Sequence, residues 1–238
     1  MAKKLKYKRI LLKLSGEVLQ GSRDGGIDFK VVRELCNEVA EVQKLGVEIA
    51  IVIGGGNIWR YRDSKDSGVD RVTSDYMGML ATIMNSMALQ DQFEKMGIGA
   101  PIGSAISMPI VVGTYLRPKA LDYLKKGKIL ICAGGTGNPY FTTDTAGALR
   151  AMELNCDIML KATKVDYIYD KDPMKFKDAK KYVNVSYNEV LAKELGVMDL
   201  TAVTLCLEKR LPIMVFNLHK KGNIAKIVQG EQVGTLIS

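Results

Sequence analysis

Short apolar runs alternate along the chain with longer stretches in which apolar residues recur at helical spacing. The runs at 10–14, 47–53, 128–133, 157–160 and 213–216 show little polar alternation, which predicts strands buried on both faces. Helical stretches lie between them, at 28–46, 74–95, 143–154, 186–196 and after 199. This order predicts an α/β fold, a three-layer αβα sandwich with a largely parallel central sheet and helices on both faces.

Side chains that begin helices mark several of these boundaries. Asp28 is placed to cap the first helix, and Ser186 with Glu189 has the spacing of a capping box. The middle of the 74–95 helix is apolar almost all round. We therefore expect that helix to be buried, by default in the core and otherwise at a subunit contact.

No linker, repeat or low-complexity tract divides the 238 residues, so we predict a single domain over 1–238. No apolar run approaches the roughly 20 residues of a membrane span, and Lys13 interrupts the first run too early for an export signal.

The four cysteines form no C-x-x-C pair, and His219 is the sole histidine. This usage argues against a zinc site and favours reduced thiols in a cytoplasmic protein.

The net charge of +8 admits two interpretations, a nucleic-acid-binding protein or a protein that binds small polyanions such as nucleotides. The lysines between 171 and 181 are mixed with Asp172 and Asp178. Such mixing is typical of a solvated loop and differs from a basic stripe with interleaved aromatic residues. We therefore do not expect nucleic-acid binding to be the main role.

Three predicted strands end in loops suited to phosphate, at 13–16 (Lys-Leu-Ser-Gly), 54–57 (Gly-Gly-Gly-Asn) and 134–138 (Gly-Gly-Thr-Gly-Asn). Ligands of open α/β sheets bind at the carboxyl ends of the strands, and glycines let backbone N–H groups approach a phosphate closely. One such loop alone is more simply an ordinary tight turn. Three at one sheet edge predict a polyanion site.

Several well-known signatures are absent from the sequence. It has no G-x-x-x-x-G-K-[ST] loop, and G-x-G-x-x-G fails because Trp59 stands at the last glycine position. It has no G-x-S-x-G elbow, and one histidine disfavours a Ser-His triad. A strand-end lysine beside glycine loops suits phosphoryl transfer, which depends on positioning and positive charge. Lys13 would neutralise the moving phosphoryl group, or else be a strand-edge lysine that extends to solvent.

Six segments carry a more specific signal. They are Lys-Leu-Ser-Gly from 13, Gly-Gly-Gly-Asn from 54, Met-Gly-Met-Leu-Ala-Thr from 77, Gly-Thr-Gly-Asn-Pro-Tyr-Phe-Thr-Thr-Asp at 135–144, Leu-Lys-Ala-Thr-Lys-Val-Asp from 160 and Val-Met-Asp from 197. Together, over about residues 7–238, they closely resemble the bacterial UMP kinases (uridylate kinases) of the amino-acid-kinase family. The 54–57 segment is weakly specific, whereas 135–144 is highly specific to the UMP kinases.

The resemblance implies the amino-acid-kinase fold and the reaction of ATP with UMP to give ADP and UDP, in pyrimidine nucleotide biosynthesis. The N-terminal part would form the UMP side and the C-terminal part the ATP side. Magnesium would accompany ATP without direct protein ligands. A homohexamer, inhibition by UTP and a cytoplasmic location are also implied.

The resemblance also assigns roles to individual residues. The implied catalytic residues are Lys13, Asp144, Arg60 and Lys161. The implied ATP-binding residues are Lys13, Leu14, Ser15, Gly16, Gly56, Arg60, Thr163, Tyr169 and Asp172. The implied UMP-binding residues are Gly55, Asp75, Thr136, Gly137, Asn138, Pro139, Tyr140, Phe141, Thr142 and Thr143.

Some of these roles stay open at the level of sequence. The second positive charge would come from Lys161 or Lys164, and the sequence does not choose between them. Asp75 would bind the ribose, or be an N-terminal carboxylate that the helix dipole favours. Asp199 is a weaker catalytic candidate, with a helix N-cap as the alternative.

Two segments depart from the family, the 61–70 loop, which is unusually charged for it, and the segment before Ser-Ala-Ile. Members commonly carry arginine before Ser-Ala-Ile, where some bind GTP as an activator, whereas residues 100–103 here read Ala-Pro-Ile-Gly. Pro101 offers neither charge nor donor, so we predict weak or altered GTP activation. Two competing hypotheses are an amino-acid kinase that makes an acyl or carbamoyl phosphate, against which 135–144 argues, and a nucleotide-sensing or nucleic-acid-binding protein.

Overall fold

The computed structural model describes residues 4–60, 68–171, 173 and 175–238. Its helices are α1 (Phe29–Lys44), α2 (Arg71–Lys95), α3 (Arg117–Lys125), α4 (Thr143–Glu153), α5 (Tyr187–Ala192), α6 (Leu200–Lys209) and α7 (Asn223–Val228), with a 3-10 helix at Gly16–Gln20. Its strands are β1 (Arg9–Leu14), β2 (Glu48–Ile53), β3 (Ile102–Ser104), β4 (Gly113–Thr114), β5 (Leu130–Ala133), β6 (Ile158–Thr163), β7 (Ile168–Tyr169), β8 (Lys181–Tyr182), β9 (Asn184–Val185), β10 (Ile213–Asn217) and β11 (Thr235–Ile237).

Nine of the described strands form one sheet in the order β4-β3-β5-β2-β1-β6-β10-β11-β9. Every pairing is parallel except that of β10 with β11, and β7 and β8 form a separate antiparallel pair. The predicted α/β class with a largely parallel sheet is therefore confirmed. Because the central strands run in the same direction, their carboxyl ends, at Leu14, Ile53, Ala133 and Thr163, lie along one edge.

Two apolar layers flank the sheet, one on each face. Helices α1, α2 and α7 cover one face, and α3 to α6 cover the other. Along β1 the side chains alternate, since Ile10 and Leu12 pack in the first layer and Leu11 packs in the second. Burial on both faces explains why the strands lack polar alternation, as the sequence predicted.

The helix starts follow the capping residues. Asp28 accepts the N–H of Lys30, and Ser186 accepts the N–H of Glu189. Helix α2 begins at Arg71, earlier than the predicted start at residue 74, because the side chain of Asp70 caps it. Helix α5 ends at Ala192, short of the predicted end at residue 196.

Helix α2 buries one face against the sheet, with Ile83, Leu89 and Phe93 in the first apolar layer. Core burial, the default expectation, therefore holds for one face of the helix, and the subunit-contact alternative stays a prediction for the other face. An apolar stripe stays between 43% and 53% exposed, formed by Tyr76, Leu80, Met84 and Met87.

Candidate active site

Strand register brings two lysines together at the carboxyl edge of the sheet. Lys13 on β1 lies opposite Lys161 on β6. By strand alternation, both side chains point to the face that α4 covers, like Leu11 and Met159, two residues earlier on each strand. They are 8% and 9% exposed. The sheet therefore places two ammonium groups side by side under the start of α4.

Asp144 in the first turn of α4 lies between the two ammonium groups. Its Oδ1 is 2.6 Å from Nζ of Lys13, and its Oδ2 accepts a hydrogen bond from Nζ of Lys161. The contact with Lys13 is a close ion pair, but it lacks the angles of a hydrogen bond, and Oδ1 accepts no other hydrogen bond among the described residues. We call these three residues the Lys13–Asp144–Lys161 cluster.

Electrostatics in this cluster favour an added anion. Burial alone would raise the pKa of Asp144, but the ammonium groups of Lys13 and Lys161 outweigh it and lower that pKa below its usual range. Burial lowers the pKa of Lys161 more than the nearby Asp144 carboxylate raises it. Two buried ammonium groups thus face one carboxylate. The excess positive charge is costly to bury without a further partner, and a phosphate oxygen would supply one.

Asp199 ties the start of α4 to the start of α6. It caps α6 by accepting the N–H of Ala202 at 2.9 Å, which agrees with the N-cap alternative. Its two oxygens also accept the hydroxyls of Thr142 at 2.5 Å and Thr145 at 2.9 Å. Asp199 therefore helps to hold the turn that carries Asp144.

The loops after β1 and β2 pack directly against each other. A Cβ on Gly16 would lie 2.6 Å from the carbonyl oxygen of Gly54, and one on Gly55 would lie 2.6 Å from the carbonyl oxygen of Gly78 in α2. These two glycines are therefore required by backbone packing, independently of any ligand. Leu14 is completely buried, so only its backbone can face a nucleotide.

Asn57 fixes the second glycine loop and does not point to solvent. It is 5% exposed, and its amide pairs with that of Asn85 in α2 through bonds of 3.0 and 2.7 Å. Asn57 also donates to the carbonyl of Gly26, and Asn85 donates to that of Gly54. The Asn57 side chain thus anchors the loop to α2.

A cavity of about 380 Å³ lies between α2 and the loop before α4. Six residues predicted for the site line it, namely Gly55, Arg60, Asp75, Phe141, Thr142 and Thr143. In the described structure Thr136, Gly137, Asn138 and Pro139 lie in the preceding turn and do not line this cavity. The hydroxyl of Thr136 bonds with the backbone of Asn138 and shapes that turn.

Arg71 and Trp59 are among the seven lining residues of this cavity that were not predicted as site residues. Arg71 donates to both oxygens of Asp75, and Trp59 donates to the hydroxyl of Ser74 at 2.9 Å. The Arg71–Asp75 spacing of four residues on one helix was a readable signal of an ion pair. It did not indicate that Asp75 also accepts the N–H of Tyr140 from a distant loop.

Glu17 joins two cations at the rim of the site. Its Oε1 lies 2.9 Å from Nη2 of Arg60, and its Oε2 lies 2.9 Å from Nζ of Lys164. The side chain of Lys164 is 67% exposed. Lys161 therefore lies in the buried cluster, whereas Lys164 lies at the rim.

A second cavity, of about 490 Å³, lies beyond β6 and contains Thr163 and Tyr169. Val165, Tyr167 and the 194–197 segment complete much of its wall. Asp172, the third residue predicted for this pocket, lies outside the described residues. A more open hollow of about 1010 Å³ borders Gly56 and Arg60 from the side of residues 20–29.

The described residues contain no group of three acidic, histidine or cysteine side chains that would hold a metal ion. None of the helices in the described ranges is long and apolar enough to cross a membrane.

The chain is similar to known proteins over nearly its whole length. Residues 8–217 match the model of the Amino acid kinase family. The chain is similar to the UMP kinase of Bacillus anthracis, with 38% identity, a TM-score of 0.95, and coverage of 98% of this chain and 96% of that one. It is similar to the UMP kinase of Ureaplasma parvum, with 34% identity, a TM-score of 0.92, and coverage of 98% and 100%. The uridylate kinase of Archaeoglobus fulgidus matches at 27% identity and a TM-score of 0.75, over 96% of this chain and 99% of that one.

Proposed function

The chain belongs to the amino acid kinase family, and from that premise we propose that it transfers the γ-phosphoryl group of ATP to UMP, giving ADP and UDP. The observation that carries this proposal is the Lys13–Asp144–Lys161 cluster, a buried site with excess positive charge. Lining residues of both cavities are close to the cluster in sequence, because Thr142 and Thr143 precede Asp144 and Thr163 lies two residues after Lys161. Such an arrangement suits a phosphoryl group that passes between two nucleotides.

In this proposal the acceptor UMP occupies the cavity beside α2. Asp75 accepts hydrogen bonds from the ribose, and Gly55 and residues 141–143 line the cavity around the nucleotide. Residues 136–140, which belong to the preceding turn and do not line the cavity, approach the nucleotide from its outer side. The ATP nucleoside occupies the cavity with Thr163 and Tyr169, and Asp172 belongs to the same pocket. Support comes from the walls of these cavities, since the first is built largely from the N-terminal half and the second from the C-terminal half. We propose that both halves act as one domain.

The chemistry requires positive charge at fixed points and no covalent intermediate. Lys13 and Lys161 stabilise the charge on the phosphoryl oxygens, while Asp144 holds both ammonium groups in place. Backbone N–H groups of Ser15, Gly16 and Gly56, with the guanidinium of Arg60, bind the ATP phosphates. The placement of Lys161 in the buried cluster favours it over Lys164 as the second catalytic cation.

Magnesium, when bound with ATP, supplies further positive charge to its β- and γ-phosphates. We propose, from the family resemblance, that the nucleotide itself carries this ion. Oδ1 of Asp144 is buried without a well-aligned hydrogen bond, so it is the oxygen suited to a water molecule on that ion.

We further propose, from the family resemblance, a homohexamer that acts in pyrimidine nucleotide biosynthesis and that UTP inhibits. The exposed stripe of α2 (Tyr76, Leu80, Met84, Met87) supports a subunit contact there. Sedimentation of the purified protein tests the stoichiometry. A cytoplasmic location stays a prediction for cell fractionation. Weak GTP activation also stays a prediction, tested by the rate with and without GTP.

The direct test is an assay of purified protein with ATP, magnesium and one acceptor at a time. We expect turnover of UMP well above that of AMP or GMP, and none with glutamate, aspartate or carbamate. Equal or faster turnover of another acceptor would refute the substrate assignment. Replacement of Lys13 by methionine should abolish most of this activity. The exposed Lys30 of α1 offers the matched control, since Lys30→Met should retain full activity.

A further inference from the structure

A charged contact joins the first turn of α2 to the loop that covers the 380 Å³ cavity. Nε of Arg71 lies 2.9 Å from Oδ1 and 2.8 Å from Oδ2 of Asp75. Oδ2 also accepts the backbone N–H of Tyr140, at 2.8 Å and 65 residues along the chain. The Arg71 guanidinium lies 5.7 Å from the centre of the Tyr140 ring. Arg71 therefore contacts both the carboxylate and the loop residue that this carboxylate holds.

Tyr140 adopts a backbone conformation that needs such a contact. Its φ angle is +70°, in the left-handed region that a bulky L-residue rarely adopts. Its ring is 67% exposed, so burial of the side chain does not hold it there. The hydrogen bond from its N–H to an ionised carboxylate is of the stronger, charge-assisted kind. The loop conformation at Tyr140 thus depends on the orientation of Asp75.

We propose that Arg71 is a positioning residue of the acceptor cavity. Its guanidinium fixes the Asp75 carboxylate in the orientation that binds Tyr140, and this contact holds the 135–143 loop over the cavity. We call the three residues the Arg71–Asp75–Tyr140 clasp. Only the identity of the bound molecule, UMP, rests on the proposed function; the clasp itself is a property of the protein without nucleotide.

The position of this pair sets it apart from an ordinary surface ion pair. An exposed pair four residues apart on a helix usually contributes little to stability. Here the Asp75 side chain is only 15% exposed, and both members line the cavity. The pair also has a third partner from a distant loop. Loss of Arg71 should therefore change loop closure and acceptor binding more than it changes the stability of α2.

Amide hydrogen exchange of the 134–143 segment in the absence of nucleotide tests the clasp without reference to activity. We expect a protected Tyr140 amide in the wild type and roughly tenfold faster exchange in Arg71→Gln, as for the loss of one charge-assisted bond. Arg71→Lys keeps the charge but lacks the Nε–H group that donates to both oxygens of Asp75, so it should fall between them. Arg33→Gln, an exposed arginine of α1, should match the wild type.

Kinetics supply the second measurement. Arg71→Gln should raise KM for UMP about five- to tenfold while kcat and KM for ATP change less than twofold. Wild-type exchange in Arg71→Gln, or a fall in kcat at unchanged KM, would overturn the proposal. If Arg71→Gln exchanges faster along the whole chain and so is unfolded, Arg71→Lys decides by the same measurements.

The two proposals can fail separately. A wild-type protein that does not phosphorylate UMP refutes the proposed function, and the exchange of Tyr140 still decides whether the clasp exists. An unprotected Tyr140 amide in the wild type refutes the clasp even if UMP is the substrate.

Discussion

Replacement of Lys13 by methionine tests the buried cluster most sharply, because its effects on stability and on rate should diverge. The lysine is 8% exposed, and methionine fills a similar volume. The substitution leaves Asp144 paired with Lys161 and changes the buried charge from one excess positive charge to none. Since burying ions is costly, we expect the free energy of unfolding to change by less than about 2 kcal/mol.

The catalytic rate of Lys13→Met should nevertheless fall strongly. Loss of one preorganised electrostatic group typically lowers kcat by about 10²–10³, or roughly 3–4 kcal/mol of transition-state stabilisation. Asp144→Asn is the matched contrast, because it leaves two buried ammonium groups without their carboxylate. That variant should lose about 3–5 kcal/mol of stability, with a Tm lower by roughly 6–20 °C for a chain of this size.

Urea unfolding and single-turnover formation of UDP give the two quantities for each variant. We expect Asp144→Asn to be the less stable protein and Lys13→Met to be folded but slow. Wild-type kcat in Lys13→Met, or a larger loss of stability in Lys13→Met than in Asp144→Asn, would contradict the role given to the cluster.

Three further predictions concern the surroundings of the cluster. Burial lowers the pKa of Lys161 in the protein without nucleotide, so its ammonium deprotonates at lower pH than an ordinary lysine. The value of kcat/KM, which reports groups of the free enzyme, should therefore fall on the alkaline side of a pH profile. Lys161→Arg does not titrate in that range and should lack the fall, and identical alkaline limbs would contradict the assignment. Gly55→Ala places a Cβ 2.6 Å from a backbone oxygen of α2, so the free energy of unfolding in urea should fall by about 1–3 kcal/mol. Gly78→Ala has open space around its Cβ, so the same quantity should stay unchanged or rise by up to ~1 kcal/mol. Equal losses in both variants would contradict the packing argument. Glu17→Gln removes the carboxylate that forms ion pairs with both Arg60 and Lys164, which leaves these cations freer to bind a phosphate. Calorimetry should therefore show ADP bound about threefold more tightly. Weaker binding would instead show that Glu17 orients these cations for the nucleotide.

The sequence predicted the central strands well because burial on both faces leaves continuous apolar runs. It missed β3 and β4, which are three and two residues long, and the antiparallel β11. Runs this short carry no measurable periodicity, and their pairing partners are distant in sequence. Asp70 has the residue type of a helix N-cap, yet the start of α2 was predicted at residue 74, where the apolar pattern becomes strong.

The sequence predicted those site residues that lie at the carboxyl ends of strands. Lys13 was found because it interrupts the apolar run of β1 close to its carboxyl end, and the register opposite Lys161 explains which second lysine lies in the cluster. Asn57 could not be assigned from sequence, since its partner Asn85 lies 28 residues away inside α2. Arg71 was missed for a similar reason. A helical ion pair is ordinary, and only the contact of Asp75 with Tyr140 gives the pair a role at the cavity.

The central claim is selective phosphoryl transfer to UMP at the Lys13–Asp144–Lys161 cluster. The most direct measurement is chromatographic separation, over time, of the nucleoside diphosphates formed in one mixture that contains ATP, magnesium and equal amounts of UMP, CMP, AMP and GMP, with the wild type and Lys13→Met in parallel. We expect UDP as the first new nucleoside diphosphate besides ADP, formed at least about a hundredfold more slowly by Lys13→Met. Formation of GDP or CDP as fast as UDP, or an equal rate in the two proteins, would contradict it.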